Sequence, residues 1–75
     1  MSLKKDLAKE MQILEAEIKE LEIKRSRSQA SLIEALISKR EPDETETQFF
    51  RTYTAEIDVK RERLANMTKQ LESIL

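Results

Sequence analysis

The sequence predicts an all-α protein in which two long helices form an antiparallel, coiled-coil-like hairpin. Three observations predict this fold. The composition is typical of long helices, apolar residues recur at heptad spacing along most of the chain, and a single proline interrupts that pattern near the middle. We expect residues 1–75 to form one helical-hairpin domain that dimerises into a four-helix bundle or assembles into a higher oligomer.

The composition argues against most other classes of fold. The 75 residues contain no Gly, Cys, His or Trp and one Pro, and charged and apolar residues each make up 39% of the chain. This usage is typical of coiled coils and long helices. A disordered chain can carry as much charge, but the apolar residues here are regularly spaced, so a helix can bury them together.

The first predicted helix covers about residues 3–40 and has an apolar seam. From Leu7 the apolar residues are separated by alternating steps of four and three, as at the a and d positions of a heptad repeat. Arg25 and Ser28 interrupt the seam with polar side chains before it resumes. The seam consists of Leu7, Met11, Leu14, Ile18, Leu21, Arg25, Ser28, Leu32 and Ala35.

The predicted turn covers about residues 41–44. Pro42 disfavours helical geometry at the preceding residue and has no backbone N–H to donate. Asp43 followed by Glu46 resembles a capping box for a second helix, and a Thr–Gln pair two residues further on is a second candidate. The acidic residues suit a cap and a solvated turn, and the alternative is a contact with a partner.

The second predicted helix covers about residues 45–75 and has its own seam. That seam is displaced by one residue from the heptad phase of the first helix. Two separate helices explain this change of phase near Pro42, and a single kinked rod is the alternative. The second seam consists of Phe50, Tyr53, Ile57, Lys60, Leu64, Met67, Leu71 and Ile74.

The first helix carries a second apolar line outside its seam. A hairpin gives each helix one contact face, so a helix that is apolar over a wider angle requires another neighbour. Two-helix hairpins of this size also bury little surface. Both arguments predict self-association or docking on another protein. The candidate interface residues on this helix are Ile13, Ala16, Ile23, Ala30 and Ile37, with Ile33 beside them.

All three aromatic residues fall in the first turns of the second helix. Phe50 and Tyr53 are seam residues, whereas Phe49 is not. One interpretation is a hydrophobic plug that closes the turn end of the hairpin. The other is a docking patch for a partner, because exposed aromatic residues are favoured in interfaces. All three are therefore candidate interface residues.

The residue types that most catalysis requires are missing. Without His and Cys the chain has no imidazole base, no thiolate nucleophile and no common zinc ligand, and without Gly it has no phosphate-binding loop. We therefore predict a non-enzyme with no catalytic residue, no cofactor and no metal. No apolar run approaches the ~18 residues of a membrane span, and a cysteine-free chain fits a reducing cytoplasm.

Two basic clusters form the one constellation with an evident binding chemistry. If the hairpin reverses near Pro42, residues equally far from it face each other, so Lys24 lies level with Lys60. Arg25 and Lys60 occupy seam positions, where like charges repel and are costly to desolvate. The candidate anion-binding residues are Lys24, Arg25 and Arg27 on the first helix and Lys60, Arg61 and Arg63 on the second.

Three interpretations of these clusters stay open. The long side chains extend outward and pair with glutamates, or the polar seam residues set register and oligomeric state. Alternatively they bind a phosphate, a nucleotide or an acidic peptide, with Ser26, Ser28 and Gln29 adding hydrogen bonds. The third interpretation is a contact with a nucleic-acid backbone, which the net charge of −1 disfavours.

The sequence thus favours a non-catalytic helical interaction or assembly module that self-associates and presents a protein-binding surface. The alternative function is an oligomeric bundle that binds a phosphate-bearing small ligand, such as a nucleotide, at the basic clusters. The expected partners are further copies of the chain, another protein or a phosphate-bearing ligand, with no membrane among them.

Overall fold

The computed structural model describes residues 2–75, which form two α-helices. Helix α1 spans Leu3–Ile37 and helix α2 spans Glu44–Ile74. The two helices pack along each other as an antiparallel hairpin that measures 56 × 16 × 14 Å. The described residues include no β-strand. The prediction of an all-α hairpin is confirmed, and the alternative of a single kinked rod is excluded.

The face of α1 that packs on α2 is the predicted seam. Leu14, on this face, is only 2% exposed, and Met11, Arg25 and Leu32 are half-buried. Ser28 is 4% exposed, and its small side chain lets the aromatic residues of α2 approach. The buried residues of α1 are Leu7, Leu14, Ile18, Leu21, Ser28 and Ala35.

The core of the hairpin is centred on Ile57 of α2, whose exposed fraction is 0%. Ile57 packs against Ile18 and Leu21 of α1, and Tyr53 and Leu64 extend this cluster along α2. A helix turns by about 100° per residue, so a seam spaced by threes and fours stays on one side. The predicted seam of α2 follows this rule, since its other members are half-buried apart from the terminal Ile74, which is 42% exposed.

Helix α1 ends at Ile37, three residues before the expected boundary near Arg40. Lys39 adopts a left-handed backbone with a φ of 57°. Its N–H donates to the Leu36 carbonyl at 3.1 Å, and the Arg40 N–H donates to the Ala35 carbonyl at 2.8 Å. These two bonds form a Schellman motif, which usually has glycine at the left-handed position. The chain contains no glycine, so a lysine takes that place.

Helix α2 begins with Asp43 as its N-cap. The Asp43 carboxylate accepts a hydrogen bond from the backbone N–H of Thr45 at 2.7 Å, which satisfies one of the free donors of the first turn. Glu44 and Glu46 also lie in this turn, where negative charge complements the helix dipole. The acidic run around Pro42 therefore acts as a helix start.

The register between the helices differs from the one expected for a reversal at Pro42. Lys60 Nζ lies 2.9 Å from Glu17 Oε2, whereas Lys24 lines a cleft together with Tyr53. The core contacts of Ile57 with Ile18 and Leu21 place Lys24 level with Tyr53, seven positions before Lys60, which corresponds to an axial displacement of about 10 Å.

This displacement originates at the end of α1. The chain reverses at Lys39, and residues 40–43 are not helical. Arg40 and Asp43 line a cleft together with Ser31 and Ala35, so the returning segment lies beside the last turns of α1. Non-helical chain advances by up to about 3.3 Å per residue, against 1.5 Å in a helix. Helix α2 therefore begins further from the turn, towards the N-terminus of α1, than a reversal centred on Pro42 would place it.

Candidate functional site

The second apolar line of α1 lies on the side of the helix that faces away from α2. It consists of Ala16, Ile23, Ala30 and Ile37, which we call the outer stripe. At about 100° per residue, each member points about 180° away from the middle of the seam. All members of the outer stripe are exposed, including Ile23 at 50% and Ile37 at 78%.

Other aliphatic side chains widen this exposed surface. Ile13 and Ile33 flank the outer stripe and are 48% and 47% exposed. Leu36 is 66% exposed at the turn end of α1. From Ala16 to Ile37 the outer stripe extends over roughly 32 Å, so water covers a long apolar face on an otherwise charged helix.

The accessible surface of the hairpin is large for its mass. A compact monomer of 8.8 kDa exposes about 4,800 Å² by the usual scaling with mass, whereas this chain exposes 5950 Å². The excess arises because two helices share one seam and cover nothing else.

Two basic residues of α2 form ion pairs with glutamates of α1. Arg61 Nη2 lies 2.7 Å from Glu22 Oε2, and Lys60 pairs with Glu17. Lys60 leaves its seam position by extending outward, so its side chain stays 26% exposed. Arg63 lies near Lys60 in a shallow depression that Val59 also lines.

The basic residues of α1 face a different part of α2. Lys24 and Arg27 line a cleft of about 400 Å³ whose floor includes the buried Ser28. Arg25 stays half-buried in the seam. The six candidate residues therefore do not converge at one level, because the observed register separates the two clusters by about two helical turns. Of the α2 cluster, Arg61 extends towards α1, and its guanidinium ends on Glu22.

Phe49 and Tyr53 of α2 form one wall of the cleft that Lys24 and Arg27 line on α1. The rings of Phe49 and Tyr53 stack with their centroids 6.0 Å apart and an interplanar angle of 21°. Tyr53 also packs against the core, whereas Phe49 is 45% exposed and Phe50 is half-buried. Tyr53 thus closes the core, whereas Phe49 faces solvent.

Within residues 2–75, no three acidic side chains converge in a way that could hold a metal ion. Across the same residues, neither helix combines the length and apolar character needed to cross a membrane. Comparison with protein-family models, curated proteins and solved structures finds no match to this chain.

Sequence reasoning did not identify Glu17 as the partner of Lys60. Heptad spacing places Glu17 beside the seam, but its partner depends on the axial register of α2. That register depends on where the chain reverses, at the left-handed residue Lys39. The interpretation in which basic side chains extend outward to glutamates holds for Arg61, whose partner is Glu22.

Proposed function

We propose that the chain is a non-catalytic helical assembly module that self-associates through the outer stripe of α1. The single observation that carries this proposal is the exposure of Ala16, Ile23, Ala30 and Ile37 on the side of α1 opposite α2. A helix between two neighbours needs two apolar faces, and α1 has both. We place the module in the cytoplasm because its chain contains no cysteine.

The excess surface is large enough for a stable contact. The hairpin exposes about 1,200 Å² more than a compact monomer of its mass, and each partner of a standard interface buries about 800 Å². Among residues 2–75, Ile57 is the one large side chain with no exposed surface. Association therefore adds substantially to the burial that stabilises the fold, and stability depends on protein concentration.

The surface left for a protein partner is the aromatic end of the hairpin. Phe49 is exposed and stacks on Tyr53 in the first turns of α2. A rigid aromatic pair presents contact area at low entropic cost. This end lies outside the outer stripe, so self-association leaves it accessible.

Sedimentation analysis of matched variants tests the proposal. We expect the wild type to be a dimer or larger at micromolar concentration, and Ile23→Glu to shift it strongly towards monomer. Val59→Glu is the control, because Val59 is a comparably exposed aliphatic residue on the other helix. The proposal fails if the wild type is a fully helical monomer, or if both variants weaken association equally.

The second candidate function is binding of a phosphate-bearing ligand in the cleft on α1. Lys24 and Arg27 are exposed and line this cleft, and neither takes part in an ion pair with any residue of the described part of the chain. Ser28 and Ser31 add hydroxyls and Tyr53 adds a ring face, although the carboxylate of Glu46 lies in the same cleft.

Calorimetric titration with a nucleoside triphosphate tests this second candidate. We expect Lys24→Ala and Arg27→Ala to weaken binding and Arg63→Ala, on the opposite cluster, to leave it unchanged. Absence of heat with the wild type, or equal losses in all three variants, would remove this candidate and leave the assembly module standing.

A further inference from the structure

The outer stripe is part of a second heptad seam. Lys19, Ser26 and Ile33 lie between its members, so the whole set follows steps of three and four from Ala16 to Ile37. This spacing is the one by which helices pack knobs into holes. The second seam faces away from α2 and contains three isoleucines, three small residues and Lys19.

We infer that a second copy of this chain covers the outer stripe, with its α1 antiparallel and a two-fold axis at the level of Lys24 and Arg25. This inference rests on the proposed self-association and names its occupant and orientation. A two-fold axis requires a surface that is complementary to itself. The second seam of α1 is complementary to itself in the antiparallel register described below.

The volumes of the side chains fit this register. Antiparallel seams place each residue of one heptad line opposite a residue of the other line. Ile23 then faces Ser26 of the second copy, and Ile33 faces Ala16 of the second copy. Ala30 faces Lys19 of the second copy, and Ile37 faces Gln12 at the end of the seam. Ile23 and Ile33 thus each meet a small side chain, which allows close packing in the middle of the seam. A parallel pair would instead set isoleucine against isoleucine and alanine against alanine.

The charges beside the seam fit the same register. Glu20 and Arg27 are exposed, lie on one flank of the second seam, and form no ion pair with any residue of 2–75. In the antiparallel register Arg27 of each copy lies across from Glu20 of the other, which gives two equivalent pairs. A shift by one heptad sets Arg27 against Arg27 of the other copy. A parallel pair sets Glu15 against Glu20 and Glu22 against Arg27, and Glu22 already pairs with Arg61.

The resulting assembly is a flat layer, which replaces the expected closed four-helix bundle. In a closed bundle each helix has its two contact faces side by side, whereas the middles of the two seams of α1 lie about 150° apart. The helices then follow the order α2, α1, α1 and α2. Since one hairpin is 16 Å wide and 14 Å thick, the dimer is about 32 Å wide at the same thickness.

Distance measurement between spin labels tests the orientation. The chain contains no cysteine, so Ser38→Cys introduces a single label at the exposed end of α1. The antiparallel register predicts labels about 40 Å apart, and a parallel dimer predicts less than about 20 Å. A dimer with the short distance overturns the inference alone. A monomer overturns the proposed self-association as well.

Charge reversal tests the register. We expect Glu20→Arg and Arg27→Glu each to weaken dimerisation about three- to tenfold, and the double variant to restore it, because each pair is exposed and occurs twice. Glu10→Arg is the control, since Glu10 lies beyond the end of the second seam and should leave dimerisation unchanged. A double variant as weak as the worse single variant overturns the register.

Discussion

Lys60 Nζ donates to Glu17 Oε2 at 2.9 Å, so a lysine at a seam position of α2 holds its charge at the edge of the seam. Both side chains keep contact with water, with 26% of Lys60 and 45% of Glu17 exposed. Exposed ion pairs of this kind stabilise a fold by about 0–1 kcal/mol. The ion pair therefore offsets only part of the free energy that a charged residue costs at this seam position.

Replacing Lys60 by leucine is expected to stabilise the hairpin. The apolar side chain fills the seam position and removes the requirement to keep a charge hydrated, which favours the variant by about 1 kcal/mol. Urea unfolding at one fixed protein concentration measures the change, since association contributes to stability. The control is Glu17→Gln, which removes only the ion pair and should cost less than about 1 kcal/mol. A clearly less stable Lys60→Leu variant would show that the ion pair dominates.

Replacing Lys39 by glycine is expected to stabilise the hairpin by about 1 kcal/mol. A side chain at a left-handed residue costs about 1–2 kcal/mol, and the φ of 57° at Lys39 lies in that region. Thermal unfolding at fixed concentration measures the gain. Lys39→Ala serves as the control, because it removes the charge and retains Cβ, and it should give no comparable gain. Equal gains in both variants would assign the effect to the charge.

Removing the cap of α2 is expected to destabilise the hairpin. Asp43→Ala deletes the acceptor for the Thr45 N–H, and loss of such a cap costs about 0.5–2 kcal/mol. Asp43→Asn keeps an oxygen at the same place and should recover most of that stability. Denaturant unfolding of the three proteins measures the differences. An alanine variant as stable as the wild type would mean that the first turn of α2 is held by packing alone.

Truncating Ile57 is expected to have the largest effect in the core. Ile57→Ala leaves a cavity between α1 and α2 and costs about 2–5 kcal/mol, a large part of the stability of a small domain. The helical signal in circular dichroism should fall at room temperature. Val59→Ala is the matched control, because Val59 is 65% exposed, and it should change stability by less than about 0.5 kcal/mol. Equal losses in the two variants would place the core elsewhere.

The sequence by itself determined which side of each helix is buried. A helix rotates by a fixed angle per residue, so spacings of three and four identify one face without any knowledge of the fold. The seam positions of Arg25, Ser28 and Lys60 were predictable for this reason, although their side chains are polar. The same rule placed Ile23 and Ile37 away from α2, where the structure leaves them exposed.

Only the tertiary structure decided how far α2 lies along α1. Pro42 is the visible interruption in the sequence, but the chain reverses at Lys39, a left-handed residue that no glycine marks. A change of a few residues in the reversal point moves every contact across the seam by the same amount, since both helices are rigid. For that reason Lys60 meets Glu17 instead of Lys24, and the two basic clusters lie apart.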